Sequence, residues 1–375
     1  MDEATFASVG LYDPDAPGAV DRLALLEYLV GLGATVDDLV AADDAGTLQR
    51  LVIDLVRRGS GPLVTAREAA ERADVSIDVV ERVVRAAGLP VVDPDVPLFR
   101  EDDADAFALF EQGAAIFGEG PTLEFTRTIG AAMASIADSA MAVFGIGAAS
   151  RFDEGQLSEL ERARIGEMAS SILISSDGVP RTIDILFFHH IGAAVRRSVA
   201  ARSDNTRTAT YAVGFVDLVA STALNRRLAP AELAEAIGGF ERAATELVGA
   251  GGGRVVKMIG DEVMFVNADP VAACSTALAL RDAVHEDARL GSARGGVAYG
   301  DLVLGYGDFY GAEVNLAARL VGAAEPGQIL VTESLASGAT GSADLAFVAV
   351  NDVLVGGFDE VVKALSLERP SPALR

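Results

Sequence analysis

The hydrophobic positions change their period a little past the middle of the chain. Up to about residue 200 they recur at helical spacing. Leu23, Leu25, Leu26, Tyr28 and Leu29 mark one face of a helix over 20–31. Thr65-Ala-Arg-Glu68 has the form of a capping box, in which Thr65 accepts from the first turn and Glu68 folds back. Ser76 opens a second helix over 77–87, and Gly88-Leu89-Pro90 stops it. Residues 91–105 are rich in Pro and Asp and read as a loop. Helices follow at about 106–118, 121–148, 153–175 and 180–199.

A polar stretch then separates this half from a segment of different texture. Tyr211–Leu218 is a β-branched and aromatic run, and Pro230–Val248 is an amphipathic helix. Short strands at 254–259 and 262–266 meet at the turn dipeptide Gly260-Asp261. A helix at 270–287, a strand at 293–299, a helix at 312–323 and a strand at 328–332 come next, then a C-terminal β region. Strand, helix, two strands, helix, strand is the ferredoxin-like order. The expected fold is therefore α+β: an all-helical domain over 1–200, a linker over 201–209 and a ferredoxin-like domain over 210–375.

Composition narrows the functional classes. Half of the 375 residues are hydrophobic, 23% are charged and the mean hydropathy is positive, which excludes a disordered chain. A net charge of −25 opposes non-specific attraction to a nucleic-acid backbone or an anionic lipid surface. The two short helices within 65–90 resemble a helix-turn-helix, but the second sets Asp78 and Glu81 beside Arg82 and Arg85. That mixed face reads as a packing unit, not a DNA reader. Cys274 is the single cysteine and suits a reducing compartment. MDEATFASVG lacks the basic start and apolar run of a signal peptide, and the Ala- and Gly-rich stretch 129–148 reads as a buried helix rather than a membrane span. The expected location is the cytoplasm.

The candidate chemistry lies in the second half. There is no Gly-x-x-x-x-Gly-Lys phosphate loop and no zinc spacing, and there are only three histidines. Asp217 ends the first strand and Asp261 sits at the hairpin tip. A ferredoxin-like sheet would bring both to one edge, where two carboxylates suit Mg²⁺ that takes its other ligands from water and phosphate. The loop after the first strand leads to a helix start, which favours an anion. Lys257 stands out because the chain has only two lysines, the other being Lys363, against 28 arginines. A compact ammonium is not interchangeable with a guanidinium. Further on, Asn315 and Arg319 are four apart on a helix and share a face, and Asp308 precedes that helix.

Three motifs in order carry a family resemblance: Phe215-Val-Asp217-Leu-x-x-Ser221-Thr222, Lys257-x-x-Gly260-Asp261, and Asp308-x-x-Gly311-x-x-Val314-Asn315-x-Ala317-x-Arg319. Over about 208–368 the chain resembles the class III nucleotidyl cyclases. The resemblance implies that Asp217 and Asp261, with the Leu218 carbonyl, bind two Mg²⁺ or Mn²⁺ ions per active site. It implies that Lys257 and Asp308 read the purine in the adenine pattern, that Asn315 orients the ribose and that Arg319 stabilises charge at the α-phosphate. The implied reaction is ATP to 3′,5′-cyclic AMP and pyrophosphate at sites shared across a homodimer. A guanylate cyclase and a catalytically silent dimerising module are the alternatives. Leu354-Val-Gly-Gly357-Phe-Asp-Glu resembles a family segment whose basic residue is replaced by Gly356. The order of a helical half before this domain is similar to soluble actinobacterial adenylyl cyclases with a regulatory domain. It suggests control by a small apolar effector, or by protons through His189-His190.

Overall fold

The computed structural model describes residues 1–58, 63–90, 93–151, 157–175, 177–200, 208–219, 227–350 and 362–370. The chain divides into two compact units, Met1–His189 and His190–Arg375.

The first unit is helical. Its elements are α1 (Glu3–Ser8), α2 (Ala19–Gly31), α3 (Val36–Asp44), α4 (Leu51–Arg58), α5 (Ala66–Ala73), α6 (Ile77–Ala86), α7 (Asp103–Phe117), α8 (Glu119–Arg151) and α9 (Glu159–Ile174), with α10 (Val179–Ala200) crossing into the second unit. Phe6, Leu25, Leu26, Leu29, Leu39 and Val52 form one core, and Ala163 of α9 closes it. The Tyr28 hydroxyl donates to the Glu167 carboxylate and ties α2 to α9. A second core gathers Ala69, Val79, Val80, Phe107 and Phe110 from α5, α6 and α7. The capping box at Thr65 is present, with the Glu68 N–H donating to Thr65 Oγ1 at 3.1 Å. Ser76 occupies the cap position of α6 without a side-chain cap bond.

Two expectations for this half need correction. The segment read as a loop over 91–105 contains β2 (Phe99–Arg100), which pairs with β1 (Leu63–Val64), and α7 already begins at Asp103. Phe99 is buried edge-to-face against Phe107, 5.6 Å between ring centroids, so one aromatic anchors a segment whose polar neighbours masked it. The helix over 129–148 forms within α8, but it is not buried. Every residue from Ala131 to Ser139 is exposed. Among the described residues no helix is long and apolar enough to cross a membrane.

The second unit is built on one sheet: β3 (Thr208–Leu218), β4 (Arg254–Ile259), β5 (Glu262–Asn267), β6 (Ala293–Gly305), β7 (Asp308–Tyr310), β8 (Ile329–Thr332), β9 (Ala346–Ala349) and β10 (Ala364–Glu368). The order is β4-β5-β3-β6-β8-β10-β9, with β7 folded back on β6. The first four strands are antiparallel neighbours in the ferredoxin-like arrangement, and β8 extends them parallel to β6. Thr208 and Ala209, placed in the linker from the sequence, already belong to β3. Alternation along β3 sends Ala212, Val216 and Leu218 to one face and Tyr211, Val213 and Phe215 to the other. The first face is covered by α11 (Pro230–Ala250), α12 (Pro270–Glu286) and α14 (Glu333–Gly338). On the second face Ala317 and Val321 of α13 (Ala312–Ala323) join the core, while Lys257 and Ile259 reach solvent. That half-covered face carries the polar chemistry.

Candidate active site

The acids are set by strand register. Asp217 on β3 lies opposite Glu262 on β5 and opposite Arg294 on β6, so three ionisable side chains form one row across three strands. Gly260 (φ 67°) and Asp261 turn the β4–β5 hairpin. The positive φ at the first turn position is one that glycine adopts without strain. The Leu218 N–H donates to the Asp261 carbonyl at 3.3 Å, which holds the hairpin tip at the end of β3. Asp217 and Asp261 thus come near each other where β3 ends, beside the β4–β5 hairpin tip.

Charge in this row is under tension. Burial raises the Asp217 carboxyl above its ordinary range, and the nearby Asp261 charge raises it further. Hydrogen bonds from Arg294 to Asp217 Oδ2, at 3.1 and 3.2 Å, act the other way. Glu262 is pushed up to about 7 by burial and by the charges of Asp217 and Asp261. Arg294 and Glu262 are the functional candidates that reasoning from the sequence missed. The signal was available in the strand register, because each falls directly across from Asp217, but register is not visible until the strands are paired.

The donor chemistry fits a hard divalent cation. The donors are carboxylate and carbonyl oxygens alone, and the excess negative charge has Arg294 as its one ion-pair partner among the described residues. Asp217 and Asp261, with Leu218 next to them, would hold it. Among the described residues no set of three or more His, Cys, Asp or Glu side chains could bind a metal unaided, so water or ligand oxygens would complete the shell.

The second cluster lies on the half-covered face. A β-bulge falls between Val255 and Lys257, so Val255 faces Phe265 while Lys257 faces Met264. The extra residue turns Lys257 toward the Met264 side, where it pairs with the Asp308 carboxylate. Asp308 Oδ1 also accepts from the Phe309 N–H at 2.8 Å. Arg254 supports this pair from the same strand. Its guanidinium donates to the Gly307 carbonyl at 2.9 Å and sits 5.2 Å from the Phe309 ring centroid, and Phe309 packs edge-to-face on Tyr211. β4 and β7 lie far apart in ladder order. The two cations bridge them by drawing the β6–β7 arm back across the sheet face.

Asn315 and Arg319 are exposed on α13, as their spacing of four implies. Gly311, at φ 146°, starts the helix. Gly296 lets α13 lie on β6, since a Cβ there would come within 2.2 Å of the Ala317 carbonyl. The structure therefore joins Asp217 to Asp261 and Lys257 to Asp308, and places Asn315 and Arg319 on the helix covering the same face. Ser221, Thr222 and the 354–357 segment with Gly356 lie outside the described residues. His189 and His190 are exposed on α10.

Comparison with known proteins supplies the remaining context. Residues 9–180 match a family model described as an adenylate cyclase regulatory domain, and residues 204–365 match one described as an adenylate and guanylate cyclase catalytic domain. An uncharacterised protein of Mycobacterium tuberculosis is 35% identical over 94% of both chains. An adenylate cyclase of Glutamicibacter nicotianae is 31% identical over 79% of this chain and 76% of its own. A pH-sensitive adenylate cyclase of M. tuberculosis is 31% identical over 87% of this chain and 81% of its own. Among solved structures, an adenylyl cyclase from P. aeruginosa shares 23% identity and aligns with a TM-score of 0.41, over 45% of this chain and 98% of its own.

Proposed function

The chain belongs to the adenylate cyclases that carry a regulatory domain ahead of the catalytic one, and from that premise we propose that it turns ATP into 3′,5′-cyclic AMP and pyrophosphate at sites shared between two copies. The observation that carries the reading is the Lys257–Asp308 pair on the same sheet face as Asp217. An ammonium and a carboxylate side by side offer one donor and one acceptor. Adenine presents the complementary edge, with N1 accepting and the N6 amino group donating. Guanine presents N1–H and O6, the opposite order.

In the reaction the ribose 3′-oxygen bonds to the α-phosphorus, the bond from that phosphorus to the α–β bridging oxygen breaks, and pyrophosphate leaves in line. The hydroxyl proton passes to solvent or to a phosphate oxygen. Asp217, Asp261 and the Leu218 carbonyl would hold two Mg²⁺ or Mn²⁺ ions, which supply charge neutralisation and a lowered 3′-hydroxyl pKa. Arg294, hydrogen-bonded to Asp217, places a guanidinium in the acid row, and its fork would suit triphosphate oxygens. Asn315 would orient the ribose. Arg319 would meet the charge that develops at the α-phosphate, a role worth roughly 10³–10⁵ in rate in related phosphoryl transfers. The acids of one copy act with the base-reading pair, Asn315 and Arg319 of the other, so a homodimer holds two complete sites.

The helical unit sets the geometry between the copies and so controls the rate. It contains an apolar cavity of about 640 Å³ lined by Met133, Ile136, Ile165 and Leu173, with Arg162 among its polar neighbours, which suits a small apolar effector. Protons acting through the exposed His189 and His190 are the second route, favoured by the pH-sensitive relative.

A cyclic nucleotide assay with Mn²⁺, ATP and GTP tests the reading. The full chain is expected to make cyclic AMP with strong preference for ATP, and Asp261→Ala to lose about 10³-fold or more, the several kcal/mol that metal-assisted charge stabilisation supplies. Retained activity in Asp261→Ala, or equal use of GTP, would refute it.

A further inference from the structure

The end of the sheet opposite the acid row opens into a cleft of about 1170 Å³ within the second unit. Thr210 of β3, Arg254 of β4 and Asn267 of β5 line it, where β3 and β4 begin and β5 ends. Asp217 stands near the far end of β3, about 20 Å away at the rise of an extended strand, so the cleft is separate from the metal-binding acids. One side of the cleft is the turn Gly251-Gly252-Gly253, which brings no side chain to it. Asn267 is 4% exposed and sets this turn. Its amide donates to the Gly251 carbonyl at 2.8 Å, and its oxygen accepts from the Asp269 N–H at 2.9 Å.

The charge here is reversed from that of the chain. Arg196, Arg197, Arg254 and, when protonated, His190 line the cleft against Asp269 alone, in a protein of net charge −25. Asp269 is committed to capping α12, its Oδ1 accepting from the Val271 N–H at 2.8 Å. Arg254 is fixed in place by its bond to the Gly307 carbonyl and by the Phe309 ring. Arg197, half-buried on α10, is close enough to act on it. Burial and then the Arg197 charge hold the Arg254 guanidinium below its ordinary value, and Asp308 acts the other way. Burial raises the Tyr211 hydroxyl, and both arginines oppose that rise, so the two cations flank one side chain. Among the described residues none of the three arginines forms an ion pair. Two guanidiniums that repel each other beside an open cleft gain from an anion that both can reach. A polyphosphate spreads its charge over several oxygens and so matches two forks at once.

We propose that this cleft binds a polyphosphate anion, free or as the tail of a nucleotide, with Arg197 and Arg254 as its principal donors. It is a second phosphate site on the catalytic unit, at the end of the sheet away from the reaction.

Isothermal titration of the full-length chain with inorganic pyrophosphate and with ADP, in EDTA at constant ionic strength, tests this. EDTA removes the cations through which the acid row would hold phosphate. At least one probe is expected to bind. Pyrophosphate marks the free anion as ligand, and ADP alone marks a nucleotide. Binding is expected to weaken about tenfold or more in both Arg197→Gln and Arg197→Glu. Arg242→Gln, which changes an exposed arginine of α11 outside the cleft, is expected to bind as the parent does. Binding of neither probe, or parental affinity in the two Arg197 variants, overturns the proposal. So does a loss confined to Arg319→Gln, which would place the anion on the catalytic face. The readout is binding without turnover, so it stands or falls apart from cyclic AMP synthesis.

Discussion

Glu262→Gln isolates the charge tension in the acid row. The Glu262 carboxyl rises from 4.5 to about 7, through burial first and then through Asp217 and Asp261. If fully realised, that rise is worth about 3 kcal/mol at high pH. The residue is half-buried, so solvent screening reduces it to roughly 1–2 kcal/mol. The sign follows from proton counting. Between pH 4.5 and 7 the folded chain keeps a proton that the unfolded chain has lost, so stability falls as pH rises through that window. Below it both states are protonated and the penalty vanishes. Above it the penalty is complete. The neutral amide escapes the penalty at every pH. Hydrogen exchange of peptides from β3 and β5, measured with a chelator present, reads the local stability. Protection in Glu262→Gln is expected to approach that of the parent near pH 4 and to exceed it by about 5- to 30-fold near pH 8. Mn²⁺ held by Asp217 and Asp261 would favour the ionised Glu262, so the gap should shrink when Mn²⁺ replaces the chelator. A gap that is constant with pH, or a parent that gains protection relative to the variant as pH rises, would refute the reasoning.

Two further perturbations probe the neighbouring parts. Lys257→Ala leaves Asp308 without its ion-pair partner and is expected to lower kcat/KM for ATP by about 10- to 100-fold, as loss of one base-edge contact does elsewhere, and to narrow the ratio of ATP to GTP use; steady-state kinetics with both nucleotides checks it. Gly296→Ala drives a Cβ against the Ala317 carbonyl and should cost about 1–3 kcal/mol by thermal melting, with a drop in kcat because α13 carries Asn315 and Arg319.

Much of this arrangement was legible before the structure because its signals are local. The capping box at Thr65, the Gly260-Asp261 turn and the bounds of α13 each rest on residues within a few positions of one another. The elements that were misjudged depend on distant residues. Phe99 forms a strand residue because Phe107 and Val64 receive it. Arg294 belongs to the acid row only through the pairing of β6 with β3, 77 residues back in the chain. The apolar content of α8 argued for burial, but Ala131–Ser139 are exposed, and composition alone does not say which part of a helix its neighbours cover. The bulge at Val255–Lys257 is also silent in the sequence, where two cations three residues apart on a strand would be assigned to opposite faces.

Arg254 and Lys257 together have a consequence for nucleotide choice. The ladder ties β7 to β6 alone, and what brings Asp308 over to β4 is a half-exposed ion pair backed by one guanidinium. Such a pair weakens as mobile ions accumulate, whereas the strand hydrogen bonds do not. With Lys257 and Asp308 reading the base as proposed, fidelity for the nucleobase becomes a property of the medium as well as of the protein: as ionic strength climbs, the enzyme should grow less selective well before it grows less folded.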